Sequence, residues 1–490
     1  MHRPLITLAA WMAAATSALA QPTAGQLARD VCSGKLKSEQ LVAEALARAK
    51  ARPELNAFVT LDEAGAMAAA RQADAAKGKG CKPLQGVPIV IKDNIEVAGM
   101  PTTGGTPALK SYRPKADAPV AQKLRDAGAI VIGKTQLHEL AFGISGFNPA
   151  FNTGPAPGVR NAYDATKSAG GSSSGTGVAV GGRIVTAGLG TDTGGSVRVP
   201  CAFNGCASLR PSVGRYPGDG IVPISHTRDT AGPMALAMAD VELLDRVISG
   251  AAAVKPADLK TVRLGLAQPF LAQMDADTLA AFDAAVARMK RAGVTLVEVS
   301  LPQLMETNGA VSFPVAMYEA YDDMVKYLKH TGLPLTIQQL AEQIASPDVK
   351  GTYLGLVIPR KLPGPNNTLV DSQPAYEAAI KTGRPALQKI YADAFRQHRL
   401  DALVFPTVPR VAMVADAESS SVATFMAVIQ NTDPGSNAGL PGLQLPIGLG
   451  ASSRLPVGLE LDGPPGSDRR LLAIGLALEP LFGRLPPPAR

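Results

Sequence analysis

Gly190-Thr191-Asp192-Thr193-Gly194-Gly195-Ser196-Val197-Arg198 follows the apolar run Ile184-Val185-Thr186-Ala187-Gly188-Leu189, which reads as a buried strand. Two glycines directly before a serine leave backbone N–H groups uncovered beside a hydroxyl. Adjacent residues can build a nucleophile and an oxyanion hole in this way. Taken alone, the run reads more simply as a glycine-rich turn with a solvated serine. What decides between the two lies upstream.

Gly86-Val87-Pro88-Ile89-Val90-Ile91-Lys92-Asp93-Asn94 reads as a short buried strand that ends in a lysine, and Gly170-Gly171-Ser172-Ser173-Ser174-Gly175 opens a helix. Each is ordinary by itself: a lysine at a strand end is usually a surface charge, and a Ser/Gly run is usually a loop. Two other pattern matches are decoys. Gly128-Ala129-Ile130-Val131-Ile132-Gly133-Lys134-Thr135 fits the phosphate-loop pattern. That mechanism needs a flexible loop between the glycines, and here the intervening residues are themselves a strand. Gly171-Ser172-Ser173-Ser174-Gly175 fits a nucleophile elbow centred on Ser173, but no apolar strand precedes it. A Ser-His-Asp site would have to take His226 or His398 as its base.

The block from Gly170 to Pro200, with GGSSSG, then TDTGGSVR and a proline, resembles the amidase signature family. The spacing of Ser172 and Ser196, Leu84-Gln85-Gly86-Val87-Pro88, Gly133-Lys134-Thr135, Arg160-Asn161, Pro406-Thr407-Val408-Pro409, Ala438-Gly439-Leu440-Pro441 and Leu455-Pro456-Val457-Gly458-Leu459 agree as well. The resemblance implies an α/β fold, a single-domain α/β/α sandwich around a large mixed, twisted sheet. It implies a catalytic Ser–cis-Ser–Lys triad, carried here by Ser196, Ser172 and Lys92, and no cofactor. Thr193, Gly194, Gly195 and Ser196 would supply N–H groups to the oxyanion, and Ser173 would bond within the site. Asp192 and Arg198 read as a loop brace. The segment from His138 to Asn152 looks most like amidases of arylacetamide-type substrates, such as indoleacetamide or mandelamide. The expected substrate is a small amide, with Phe313, Met317, Tyr318 and Tyr321 as candidates for its acyl group. Two other readings stay open: an ammonia-delivering glutaminase subunit of a tRNA-dependent amidotransferase, and a binding protein on a degenerate amidase scaffold.

The 490 residues, 46% hydrophobic and 18% charged, describe a globular chain with a large core. The net charge of +7 comes from scattered basic residues, so no nucleic-acid partner is expected. Residues 1–20 carry Arg3, an apolar stretch from Leu5 to Ala15 and the small-x-small site Ala18-Leu19-Ala20. That is a signal peptide cleaved after Ala20, leaving residues 21–490 as one amidase domain. A periplasmic or secreted location follows, with no stable membrane anchor. A homodimer is left open. Export permits disulfides; Cys32 and Cys81 can pair, whereas Cys201 and Cys206 read as small buried residues. No metal-ligand spacing is present, and the histidines after His2 are scattered. Asn366-Asn367-Thr368 fits a glycosylation acceptor.

Along the chain, helices are expected from Ser38 as N-cap to Ala51, over 63–76, 120–126, 136–141 and 277–291, through most of 300–400, and over 467–481. Strands are expected over 55–61, 129–132, 263–267, 294–299, 403–405, 443–446 and 457–461, with a proline-rich break at 362–365. This alternation indicates a layered α/β architecture.

Overall fold

Alternation along Pro88–Lys92 sends Ile89 and Ile91 to one apolar cluster and Val90 to another, and all three are fully buried. A strand covered on both faces requires helices on both sides of its sheet. The computed structural model, which describes residues 21–489 apart from 77, 79, 153 and 155, supplies them. The expected signal peptide, residues 1–20, lies outside the described residues.

The first strands in chain order are β1 (Phe58–Leu61), β2 (Pro88–Lys92), β3 (Ile130–Thr135), β4 (Ala187–Asp192), β5 (Ala207–Arg210), β6 (Thr230–Ala235) and β7 (Arg263–Ala267). They are followed by β8 (Thr295–Val299), β9 (Lys361–Pro363), β10 (Leu369–Asp371), β11 (Ala402–Pro406), β12 (Gly442–Leu449) and β13 (Pro456–Asp462). Eleven of them form one mixed sheet in the order β1-β3-β2-β4-β6-β5-β12-β13-β11-β7-β8, while β9 and β10 pair separately. Helices Ala24–Cys32, Pro119–Asp126, Met238–Ser249, Ala276–Arg291 and Asp468–Phe482 pack on the face of Ile89 and Ile91. Helices Ser38–Lys50, Glu63–Ala75, Ser174–Gly181 and Arg198–Asn204 pack on the face of Val90. Each Leu, Ile or Val so buried contributes about 1.5–3 kcal/mol of transfer free energy. The long helix Leu304–Thr331 packs with Leu140 and Val222 in a third cluster.

Several expectations are corrected. The strand expected from Ile184 begins at Ala187 and runs to Asp192, because β6 pairs with it antiparallel from Ala187 to Asp192. This puts the Asp192 side chain at the end of the sheet. The helix expected over 136–141 is a single turn, Glu139–Ala141, since Leu140 and Ala141 adopt positive φ. Ser38 is the first helical residue and not the cap; its N–H donates to Asp74 Oδ1 at 2.7 Å and its hydroxyl to the Gly86 carbonyl at 2.8 Å. The proline-rich break is the β9–β10 hairpin.

Cys32 is joined to Cys81 with a Cα separation of 5.8 Å, as expected. Cys201 is joined to Cys206 at 4.6 Å, which corrects their reading as separate small buried residues. The helix containing Cys201 ends at Gly205, whose φ of +70° turns Cys206 back toward it. Among the described residues, no helix is long and apolar enough to cross a membrane.

Candidate active site

Lys92 ends β2, and β4 runs parallel beside it, which brings Thr191 next to the lysine. Lys92 is fully buried. Its Nζ donates to Ser172 Oγ at 2.8 Å and to Thr191 Oγ1 at 2.7 Å. Both partners are hydroxyls, so no contacting carboxylate holds the ammonium charged. Burial pulls its pKa from 10.5 down to about 7, against the opposing influence of Asp192 and Asp229.

Ser172 follows a cis peptide from Gly171 and stands just before the helix Ser174–Gly181. The next residue ties the two serine loops together: Ser173 N–H donates to the Ser196 carbonyl at 3.1 Å. The Ser173 hydroxyl donates to Thr191 O at 3.1 Å and accepts from Thr191 N–H at 3.2 Å. Ser173 is therefore a brace between loop and strand, and it does not line the cavity described below. This corrects its expected place among the substrate-binding residues.

The Ser196 turn is shaped by Asp192. Its carboxylate accepts from Gly195 N–H at 2.8 Å and Val197 N–H at 3.1 Å. Two guanidiniums close on the same carboxylate, Arg198 through Nε and Nη2 at 3.1 Å each and Arg210 through Nη1 at 3.0 Å. Burial alone would raise the Asp192 carboxyl; Arg198 and Arg210 outweigh it and hold it well below the usual carboxylate range. Arg198 also reaches Glu460 at 2.8 Å. The expected brace of Asp192 and Arg198 is thus present and larger than read, with Arg210 and Glu460 added.

One consequence corrects the expected oxyanion donors. Gly195 N–H is held by Asp192, so three of the four remain, Thr193, Gly194 and Ser196, whose N–H groups have no partner among the described residues. Gly195 itself has φ +133° and would collide with Thr432 if it carried a Cβ.

Ser196, Thr193 and Gly194 open onto a cavity of about 280 Å³. Its wall is largely apolar, with Phe142, Phe313, Met317, Phe425, Met426 and Ile429. Phe313 and Met317 were expected there; Tyr318 and Tyr321 are not in the lining. Tyr318 stacks on Tyr376 with centroids 4.2 Å apart, and Arg360 sits over both Tyr318 and Tyr321. The sequence reading missed Phe425, Met426, Arg228 and Asp433; only the proximity of the last to the Ala438-Gly439-Leu440-Pro441 motif could have flagged it. A second cavity, about 410 Å³, reaches Thr191 and Asn94 and shares Ala141, Thr193 and Ile224 with the first.

The histidine-based alternative is not assembled. His226 is exposed, pairs with Asp323 at 3.0 Å and lines the second cavity, which Ser196 does not. His398 ends the helix Arg384–His398 and lines neither cavity. His138 does line the first cavity, paired with Asp348 at 3.0 Å. Among the described residues, His226, Glu319 and Asp323 form the one cluster of metal-ligand type. Its atoms are engaged with one another and with Ser225, Thr227 and Tyr376.

The sequence model of the family described as Amidase matches residues 40–472. The chain is 43% identical to mandelamide hydrolase of Pseudomonas putida over 93% of its own length and 90% of that protein's. It is 41% identical to indoleacetamide hydrolase of Agrobacterium vitis, over 90% and 92% of the two chains. The crystal structure of native peptide amidase from Stenotrophomonas maltophilia superposes with a TM-score of 0.81 at 29% identity, covering 96% of this chain and 98% of that one.

Proposed function

The chain belongs to the amidase family and is a hydrolase of amide C–N bonds, and on that premise we propose that Ser196, Ser172 and Lys92 carry out the reaction. Neutral Lys92 accepts the proton of Ser172 as Ser172 takes that of Ser196. Ser196 Oγ attacks the amide carbonyl, and the oxyanion lies on the N–H groups of Thr193, Gly194 and Ser196. Each such donor is typically worth on the order of 3 kcal/mol of barrier. The proton returns through Ser172 to the nitrogen, the C–N bond breaks and ammonia leaves. Water then adds to the ester on Ser196 by the same relay and releases the acid. The observation that carries this reading is the 2.8 Å contact between Lys92 Nζ and Ser172 Oγ, made by a buried lysine whose other partner is also a hydroxyl.

The acyl group is an apolar, aryl-bearing one. The aromatic and methionine side chains of the 280 Å³ cavity support this, as do the mandelamide and indoleacetamide hydrolases among the relatives. Ammonia release by the purified chain from aliphatic, aryl and arylacetyl primary amides tests it. The Phe313→Ala variant is expected to lose about tenfold in kcat/KM on arylacetamides, with less loss on a short aliphatic amide. Equal losses on both would remove Phe313 from acyl recognition. The wild-type kcat/KM is expected to rise with pH through about 7 as Lys92 loses its proton. A profile flat from pH 5 to 9 would contradict a neutral lysine base.

Export of the chain is part of the proposal. Residues 1–20 have the pattern of a cleaved leader, and the Cys32–Cys81 and Cys201–Cys206 bonds suit an oxidising compartment.

A further inference from the structure

The nitrogen side of the reaction has a cavity of its own. The acyl group occupies the 280 Å³ cavity, and the scissile nitrogen must face Ser172, which protonates it. Ser172 is hydrogen-bonded to Lys92, and Thr191 Oγ1, which accepts from Lys92 Nζ at 2.7 Å, belongs to a residue that lines the second cavity of about 410 Å³. The two cavities meet at Thr193, in the nucleophile's turn. A substituent on the nitrogen is barred from the first cavity by the acyl group, so it runs into the second. A molecule the size of ammonia or water needs only about 10–15 Å³ of such space. The second cavity is far larger than a primary amide requires.

Its lining is charged where that of the acyl cavity is apolar. Where the cavities meet, Asp229 Oδ1 accepts from the Thr193 hydroxyl at 2.6 Å, and Oδ2 accepts from the N–H groups of Ile224 and Ser225 at 2.7 and 2.9 Å. Asp323 and the exposed Asp219 add two more carboxylates. The Asp219 side chain has no hydrogen-bond or ion-pair partner among the described residues. The positive side is weaker. His226 is paired with Asp323 at 3.0 Å and His330 with Glu96 at 3.2 Å, so neither offers an unopposed charge. That leaves Lys326, exposed on the helix Leu304–Thr331. Three carboxylates against one lysine give the space a negative potential, which the walls of a cleft concentrate.

This lining selects among amine halves. A carboxylate on the amine half would face the three aspartates. An alkyl tail would strip water from them without replacing its hydrogen bonds. An ammonium replaces that water with charged donors. The chemistry at the carbonyl is unchanged: Ser196 Oγ forms the ester bond, its proton passes through Ser172 to the amide nitrogen, and the C–N bond breaks. A primary amine then leaves in place of ammonia, and water releases the acid.

We propose that the second cavity is a leaving-group site, and that the chain hydrolyses secondary amides whose amine half carries a positive charge at its far end. The proposal rests on the Ser196 reading above. It is tested by kcat/KM of the wild-type chain at neutral pH, read as phenylacetate released from phenylacetamide and from its N-(4-aminobutyl), N-pentyl and N-(4-carboxybutyl) derivatives. The three tails match in length and end in ammonium, methyl or carboxylate, too far from the nitrogen to alter its leaving ability much. The ammonium amide is expected to exceed the pentyl amide by about tenfold, with the carboxylate amide slowest of the three. Asp219→Asn combined with Asp323→Asn should cut that ratio to about twofold, whatever the absolute rate. Wild type that hydrolyses phenylacetamide but none of the three N-substituted amides overturns the proposal. So does equal turnover of the ammonium and pentyl amides, or a preference that survives the double variant. If the double variant fails to fold, Asp219→Asn alone, at an exposed carboxylate without a partner, should lower the ratio by about half; an unchanged ratio there overturns the proposal as well. Phenylacetate release from phenylacetamide that persists in Ser196→Ala would instead overturn the Ser196 reading, and this proposal with it.

Discussion

Ser196→Ala is expected to lower kcat for ammonia release by about 10⁴-fold or more, the scale on which loss of a serine nucleophile acts. The melting temperature should hardly move, because Ser196 Oγ makes no hydrogen bond to the described residues while its main chain stays tied to Ser173. Steady-state ammonia release with a thermal melt separates the two effects. Ser173→Ala provides the contrast. Its hydroxyl bridges the N–H and carbonyl of Thr191, so its removal should cost stability ahead of chemistry. Activity that survives Ser196→Ala but disappears in Ser173→Ala would reinstate the nucleophile elbow.

Asp192→Ala is expected to be the most destabilising single change near the site. It strands the fully buried Arg210, which loses its carboxylate partner, and leaves the equally buried Arg198 to Glu460 at 2.8 Å, beside a cavity where their shared carboxylate stood. Breaking one side of a buried ion pair typically costs about 3–5 kcal/mol. It also releases the N–H groups of Gly195 and Val197, so the turn that presents Ser196 loses its internal ties. A denaturant midpoint unchanged from wild type would contradict this account. The same carboxylate gives stability a pH dependence with a definite sign. Its folded pKa lies below the unfolded value, so the stabilisation is complete above about pH 4 and declines as pH falls toward the folded value.

How much of this was legible in the chain depends on the kind of signal. Taken singly, Pro88-Ile89-Val90-Ile91-Lys92 reads as a strand ending in a surface charge, and the two glycine-rich turns read as loops. Lys92, Ser172 and Ser196 were singled out by the resemblance to the amidase signature family, which their order and spacing carry. β5 and β6 were missed because Ala207-Ser208-Leu209-Arg210 and Thr230-Ala231-Gly232-Pro233-Met234-Ala235 are short and lack clear alternation. The four N–H groups of the Ser196 turn look equivalent as letters, and only the position of the Asp192 carboxylate reveals that Gly195 is engaged. Phe313, Met317, Tyr318 and Tyr321 all lie on one long helix, but nothing local says which side of it meets the cavity. Packing settles that, turning Tyr318 toward Tyr376 and leaving Phe313 and Met317 in the lining. Arg228 and Asp433 come from distant parts of the chain, and only the fold brings them together.

The central claim is that Ser196 carries the acyl group, and mass analysis of acid-quenched enzyme under turnover of an aryl amide tests it directly. The account predicts a mass increase equal to the acyl group minus one hydrogen, located by proteolysis on the peptide that contains Ser196, and absent from Ser196→Ala. An acyl group found on the peptide that contains Ser172 and Ser173, or one that persists in Ser196→Ala, would contradict it.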